Sequence, residues 1–238
     1  MELENSGIFL DRNMDINIFR KNLPHWEQAG KVQFVTLRLA DSMPQTVLKE
    51  YTSKKDAFIK LYPQPWNEEI KKLYHKTINA AMENFSDIGY GSCILGNPEI
   101  RRISVDSLEH FDNERYIITA YVIMPNHLHA LIIPLEDNTV KSIFKSFIRF
   151  TTRKINKLTG RSGCLWQSEP FDRIIRNNEH YRNCVDYIRR NPLHLKPEDY
   201  SLGGFEFGNR NMVSNRGNVS NRDRASLRDA PSNENTNF

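Results

Sequence analysis

The chain has 238 residues and a formal net charge of +4, which is enough for one sizeable domain with extensions or for two small domains. Its three cysteines are scattered and show no CxxC spacing, which argues against a zinc ribbon or a disulfide framework and predicts a reducing, cytoplasmic location. The sequence shows no signal peptide and no apolar run of the roughly 18 residues that cross a membrane, so we expect no membrane partner.

The N-terminal half of the chain is predicted to hold one strand and several helices. Residues 1–25 have weak periodicity and are expected to form a loosely organised arm, which precedes a strand over 31–40. A helical insertion is then predicted around 41–110, with helices over 46–61, from the capping residue Asn67 to 82, and over 98–110.

Two strand-like runs, 116–123 and 127–133, flank the turn Met124-Pro125-Asn126 and predict a β-hairpin. The second run begins His127-Leu128-His129. Residues i and i+2 of a strand point to the same face, which places the two imidazoles roughly 6–7 Å apart along the strand. Two readings stay open from this pattern alone: the histidines converge on one cation, or they are ordinary half-buried side chains.

A basic amphipathic helix is predicted over 139–158, capped by Asn138-Thr139. Between Lys141 and Lys196 the chain has thirteen Lys or Arg residues against four Asp or Glu residues. Such a surface attracts polyanions, and nucleic acid is the commonest one in the cytoplasm. The alternative is a solvated basic face without a partner.

A short strand over 171–176 and a last helix ending at Arg190 complete the predicted elements, with Asn177 or Asn178 as the helix cap. On the wheel of this helix Tyr187 lies off the apolar stripe, beside Asn183, Arg190 and Asn191. It is therefore not needed for packing. The segment 206–238 is rich in Asn, Ser and Arg and is predicted to be a disordered tail.

The order β-α-β-β-α-β-α indicates an α+β fold over 26–205. Its first six elements match the split βαβ, ferredoxin-like pattern. We expect an antiparallel sheet with helices on one face, plus a C-terminal helix that bears Tyr187.

Two motifs together resemble a known family. The sequence "YVIMPNHLHALI" has a His-hydrophobic-His (HUH) motif after MPN, and "VDYIRRNP" places Tyr187 on a helix some sixty residues later. The combination resembles the single-tyrosine HUH transposases, in particular the REP-associated tyrosine transposases, over about residues 26–200.

The resemblance implies a metal-dependent enzyme that cuts single-stranded DNA beside short hairpins. Tyr187 would be the nucleophile that forms a 5′-phosphotyrosine. His127, His129 and Asn191 would hold Mg²⁺ or Mn²⁺. The protein would act as a monomer or homodimer, associated with the nucleoid when bound to DNA. The expected DNA contacts are Lys141, Lys145, Arg149, Arg153, Lys154, Trp166, Arg173 and Arg190, with Phe171 and Tyr121 as further candidates for base stacking.

Three rival functions remain open at this point. A hairpin-DNA-binding regulator without catalysis would form a DNA complex but no cleavage product. A metal hydrolase of small phosphates would form no covalent DNA adduct. A replication initiator or relaxase would share the HUH motif, but it generally has another motif order or an added helicase domain.

Overall fold

The computed structural model describes residues 7–20, 24–63, 66–79 and 89–205. The predicted disordered tail and the end of the second predicted helix, at 80–82, lie outside these ranges. Within them, no helix is both long and apolar enough to cross a membrane.

Seven strands and five α-helices make up the described chain. The strands are β1 (Asn17–Arg20), β2 (Pro24–Glu27), β3 (Gln33–Arg38), β4 (Tyr116–Ile123), β5 (His127–Pro134), β6 (Phe171–Ile174) and β7 (Ser201–Gly203). The helices are α1 (Gln45–Leu61), α2 (Glu68–Tyr74), α3 (Pro98–Glu109), α4 (Val140–Thr159) and α5 (Asn178–Arg190), and a π-helical turn, His75–Asn79, follows α2.

The central sheet has five antiparallel strands in the order β6-β3-β5-β4-β7. Among the four strands of the predicted pattern, which lie in the order β6-β3-β5-β4, the two crossovers place β3 and β5 at the centre. This is the arrangement expected for the split βαβ pattern. The predicted α+β fold with an antiparallel sheet is confirmed. Strand β7 was not predicted, because three residues give too short a pattern to recognise.

Helices α4 and α5 both begin at residues whose side chains satisfy the free amides of the first turn. Thr139 and Ser142 form a reciprocal capping box at the start of α4, and Gly160, with φ of 66°, ends that helix. At α5 the side chain of Asn177 accepts a hydrogen bond from the backbone N–H of His180. The sequence predicted both starts.

The two faces of the sheet are covered by different helices. Helices α3 and α4 pack on one face against Leu128, Ala130 and Ile132 of β5. Helix α5 packs on the opposite face against Leu131 and Ile133 of the same strand. The expected helices on one face are therefore present, and the added C-terminal helix covers the other face.

The described part of the predicted loose arm is organised. The Val32 N–H donates to Ile8 O at 2.8 Å, and the Leu10 N–H donates to Ile175 O at 2.9 Å. Ile8 is buried among residues of the α5 face. These contacts use backbone groups and one apolar side chain, so they leave no periodic signal in the sequence.

The predicted insertion contains two different parts. Helix α3 is the crossover helix itself, since Ile100, Val105 and Leu108 belong to the core under the sheet. Helices α1 and α2 are joined by an aromatic cluster instead, in which the Phe58 ring lies 5.3 Å from the Tyr74 ring. The extra helices are thus held by their own packing.

Candidate active site

The two histidines of the hairpin lie side by side on the sheet face covered by α5. Their ring centroids are 4.7 Å apart, and the rings are inclined at 75°. His127 is 0% exposed and His129 is 1% exposed. The predicted common orientation of the pair is confirmed, and the pair is fully buried.

Both rings are oriented through their Nδ1 atoms. The Nδ1 of His127 lies 2.7 Å from Asn126 Oδ1, and because an amide oxygen only accepts, this nitrogen carries the proton. The Nδ1 of His129 lies 2.8 Å from Thr36 Oγ1 on the neighbouring strand β3. Partners at Nδ1 leave Nε2 as the nitrogen suited to bind a cation.

Burial keeps both imidazoles neutral. It lowers the pKa of His127 to about 3, with further lowering by Arg38 and His194. It lowers the pKa of His129 well below its ordinary value, assisted by the charges of His127, Arg38 and Arg173. A neutral ring with so low a pKa is a poor proton acceptor, but it retains the lone pair that metal binding requires.

Tyr187 reaches this pair from α5. Its hydroxyl oxygen lies 3.4 Å from Nε2 of His129, and the two rings meet edge to face at 5.1 Å. The helix is anchored on the sheet by buried Tyr181, Cys184 and Ile188. This anchoring turns the half-buried Tyr187 toward the histidines and brings together residues 58 positions apart.

The residues beside Tyr187 line an open cleft of about 600 Å³. Asn191 lies at the end of α5, where its backbone N–H donates to Tyr187 O, and it is 8% exposed. Arg190 is exposed on the cleft wall. The cleft thus brings an amide and a guanidinium to the tyrosine, as the helical wheel predicted. Its lining is Asn183, Asp186, Tyr187, Arg190, Asn191 and His194.

The donor atoms at this site fit a divalent cation with open positions. In the described ranges no group of three or more His, Cys, Asp or Glu side chains could hold a metal ion. A cation held by the imidazoles of His127 and His129 would need oxygen ligands as well, and the amide of Asn191, which lines the cleft beside Tyr187, is one candidate. Mixed nitrogen and oxygen donors without a full protein cage suit a cation that also binds its substrate.

The predicted DNA contacts of α4 are not part of this site. Helix α4 covers the other face of the sheet, and its basic side chains point to solvent there. The sheet therefore separates them from Tyr187. The residues in question are Lys141, Lys145, Arg149, Arg153 and Lys154, all exposed.

Two aromatic candidates for base stacking are core residues instead. Trp166 is 2% exposed, and its indole N–H donates to Thr151 Oγ1 at 2.8 Å. Tyr121 is 4% exposed and donates to Glu109 Oε1 at 2.6 Å. Both rings are almost fully buried, so neither is the exposed stacking platform that was predicted; the small exposed part of Trp166 lines a pocket beside α4, and Phe171 is half-buried.

Two arginines stand near the histidines, and sequence analysis identified one of them. The guanidinium of Arg173 lies 4.8 Å from the centre of the Phe34 ring, and its charge acts on His129. Arg38 was missed. It is 7% exposed and lies opposite His127 in the β3–β5 register. Its position two residues after Thr36 in a predicted strand was the available signal.

Comparisons with known proteins give one structural likeness. No protein-family model matches the chain, and no curated protein matches it. Among solved structures, the chain is similar to a REP-associated tyrosine transposase bound to a REP hairpin, with 19% identity, 74% of each chain covered and a TM-score of 0.36. A likeness this low transfers neither residues nor activity, so the function must follow from the side chains themselves.

Proposed function

We propose that the protein is a metal-dependent, single-stranded DNA endonuclease and strand transferase that cuts beside short hairpins. One observation supports this most directly: a tyrosine hydroxyl lies 3.4 Å from Nε2 of a buried, neutral histidine that is itself paired with a second one. A phenol beside two potential metal ligands and an open cleft is an arrangement suited to nucleophilic attack on a phosphodiester, because a bound metal would activate the phenol.

In the proposed reaction the Tyr187 oxygen attacks the phosphorus of a DNA phosphodiester. A bond forms between that oxygen and phosphorus, and the bond from phosphorus to the 3′ oxygen breaks. The phenol loses its proton, and the leaving 3′ oxygen gains one. The product is a 5′-phosphotyrosine, and because one ester replaces another, a later 3′-hydroxyl can reverse the step without ATP.

The residues around Tyr187 have distinct parts in this reaction. His127, His129 and Asn191 would hold Mg²⁺ or Mn²⁺, which supplies Lewis-acid polarisation of the scissile phosphate and a template for in-line attack. Asn126 and Thr36 hold the two imidazoles in place. Arg38 and Arg173 add positive charge, which favours a phosphate and the phenolate over the phenol.

The choice of DNA substrate rests on the motif resemblance and on charge. The HUH and YIRRNP motifs resemble those of enzymes that act on hairpin-bearing single strands. The basic side chains of α4 are exposed and would supply non-specific affinity for phosphates. A small phosphate ester would gain nothing from those distant charges. The runner-up is a hairpin-binding regulator that does not cut.

The test is covalent adduct formation with single-stranded oligonucleotides from the flanks of the gene. The full chain is incubated with Mn²⁺ or with EDTA and run on a denaturing protein gel. We expect an adduct that requires metal and disappears in Tyr187→Phe but persists in Tyr90→Phe, whose exposed ring lies outside the site. Hairpin binding without an adduct under several metals would favour the regulator, and an adduct in Tyr187→Phe would exclude Tyr187 as nucleophile.

A further inference from the structure

A second concave site lies on the opposite side of the sheet from Tyr187. It is a pocket of about 330 Å³ between α4 and the segment 163–168. Ile148, Thr152, Leu165 and Trp166 form its largely apolar interior. The volume falls near the lower end of the range of roughly 300–1,000 Å³ that small-molecule sites occupy.

The pocket wall is held in place by specific hydrogen bonds. Asn156 Nδ2 on α4 donates to Gly163 O at 2.9 Å, and the indole N–H of Trp166 donates to Thr151 Oγ1. On the other side, the Gln167 N–H donates to Arg38 O at 2.9 Å. The wall is thus fastened to both α4 and β3, so the pocket is a formed feature of the fold.

The rim of the pocket is positively charged and polar. Arg149 and Arg153 line it one helical turn apart, and Gln167 and Ser168 line the opposite side. Between Thr139 and Ser168 the chain has seven Lys or Arg residues and no Asp or Glu. An apolar pocket with cations at its rim complements a flat, uncharged ring that is attached to anionic groups.

We propose that this pocket binds one unpaired nucleobase of a DNA strand whose adjoining phosphates contact Arg149 and Arg153. The inference rests on the proposed function for the identity of the polymer. The apolar interior binds the ring of the base, and the guanidinium groups of Arg149 and Arg153 donate one or two hydrogen bonds each to phosphate oxygens. Gln167 and Ser168 offer hydrogen-bonding groups to the edge of the base. The base therefore sits on the sheet face opposite the nucleophile.

The experiment compares two 12-mer strands with the same number of phosphates, oligo-dT and an abasic strand. Binding to the full chain is measured in EDTA by fluorescence anisotropy. We expect oligo-dT to bind on the order of tenfold more tightly, which is the scale of one base bound on an apolar surface. We expect Thr152→Met, which fills the pocket, to bring the two affinities together.

Two further variants distinguish the contribution of the base to the affinity from that of the phosphates. Lys157→Gln removes a positive charge of α4 outside the pocket and should weaken both strands while keeping their ratio. Arg153→Gln should weaken both strands by more than Lys157→Gln. Two outcomes would overturn the pocket proposal but not the proposed DNA substrate: equal binding of the two strands by the native chain, or a ratio of the two affinities that Thr152→Met leaves unchanged. A lack of binding to any strand would overturn it together with the DNA substrate.

Discussion

The two covered faces of the central sheet differ in what they bury. Under α4 the sheet buries mostly apolar side chains, with Gln33 and Asp172 as polar exceptions, and the charges of that helix stay in solvent. Under α5 it buries Thr36, His127 and His129 as well. Burying polar groups costs stability unless each finds a partner, and the partners of the two imidazoles are Asn126 and Thr36. The α5 face is the one that combines this buried histidine pair with the hydroxyl of Tyr187.

Replacing one histidine should have the largest effect on metal binding and catalysis, because the histidine pair is the proposed metal site on the α5 face. We expect His129→Ala to lower Mn²⁺ affinity by about a hundredfold or more and to abolish adduct formation, since loss of a ligand exceeds the 10- to 100-fold typical of its supporting residues. Mn²⁺ binding by calorimetry, without DNA, measures this directly.

The control for that variant is His110→Ala, an exposed histidine after α3 on the other side of the sheet. It should leave Mn²⁺ affinity unchanged. His129→Gln is a second variant for the case that His129→Ala misfolds, because glutamine keeps much of the side-chain volume of histidine. Native Mn²⁺ affinity in a folded His129→Gln or His129→Ala protein would show that the pair is structural.

Truncating a core side chain of α4 should lower the stability of the fold but should not change the reaction at Tyr187. Phe144 is 0% exposed, and Phe144→Ala should lower the free energy of unfolding by about 3–5 kcal/mol through lost burial and a cavity. Phe150→Ala on the same helix removes a ring that is 40% exposed and should cost much less. Urea unfolding measures both, and similar losses would contradict the assignment of this face to the core.

The sequence predicted the long elements and the histidine face well, and the physical reason is periodicity. Helices α1, α3, α4 and α5 and the β4–β5 hairpin have enough residues for their apolar spacing to be recognised. The alternation around His127 and His129 likewise gave their common face. Strands β1, β2 and β7 have three or four residues each, and they form through backbone pairing that leaves no comparable pattern.

The site was only partly predictable, because proximity between distant residues depends on register. A helical wheel placed Tyr187 beside Asn191, but the 3.4 Å approach to His129 depends on how α5 crosses the sheet. Arg38 enters the site through the β3–β5 pairing, which one strand cannot reveal. The sequence also could not separate a buried Trp166 from an exposed one, since both fit an aromatic beside a basic helix.

One buried polar cluster interrupts the apolar face at its edge. Asp172 of β6 is hydrogen-bonded to Nδ1 of His25, with Glu169 and Glu27 nearby. Burial raises the pKa of Asp172 to about 6, although His25 opposes the rise. A carboxyl whose pKa is higher in the folded than in the unfolded chain stabilises the fold when protonated, and this contribution is lost as the pH rises from about 4 to about 6.

Asp172→Asn should therefore remove part of the pH dependence of stability. We expect the variant to gain stability relative to the native chain as the pH rises from 4 to 7, measured by urea unfolding at each pH. Asp56→Asn, at an exposed position on α1, should show a flat difference over the same range. A flat difference for Asp172→Asn as well would mean that its pKa is the same in the folded and unfolded chain.

The smallest expected effect concerns the solvent side of α4, where single charges act through long-range attraction. Lys145→Gln removes one exposed cation and should weaken single-stranded DNA binding a few-fold. The slope of log K against log salt should fall by about 0.7 in magnitude if that lysine neutralises one phosphate. The fraction of bound DNA converted to adduct should not change, because the sheet separates Lys145 from Tyr187.

The control is Lys49→Gln on α1, which makes the same change of charge at another exposed position and should leave the slope as it is. An equal change in both variants would mean that net charge alone, and not the α4 surface, attracts the DNA.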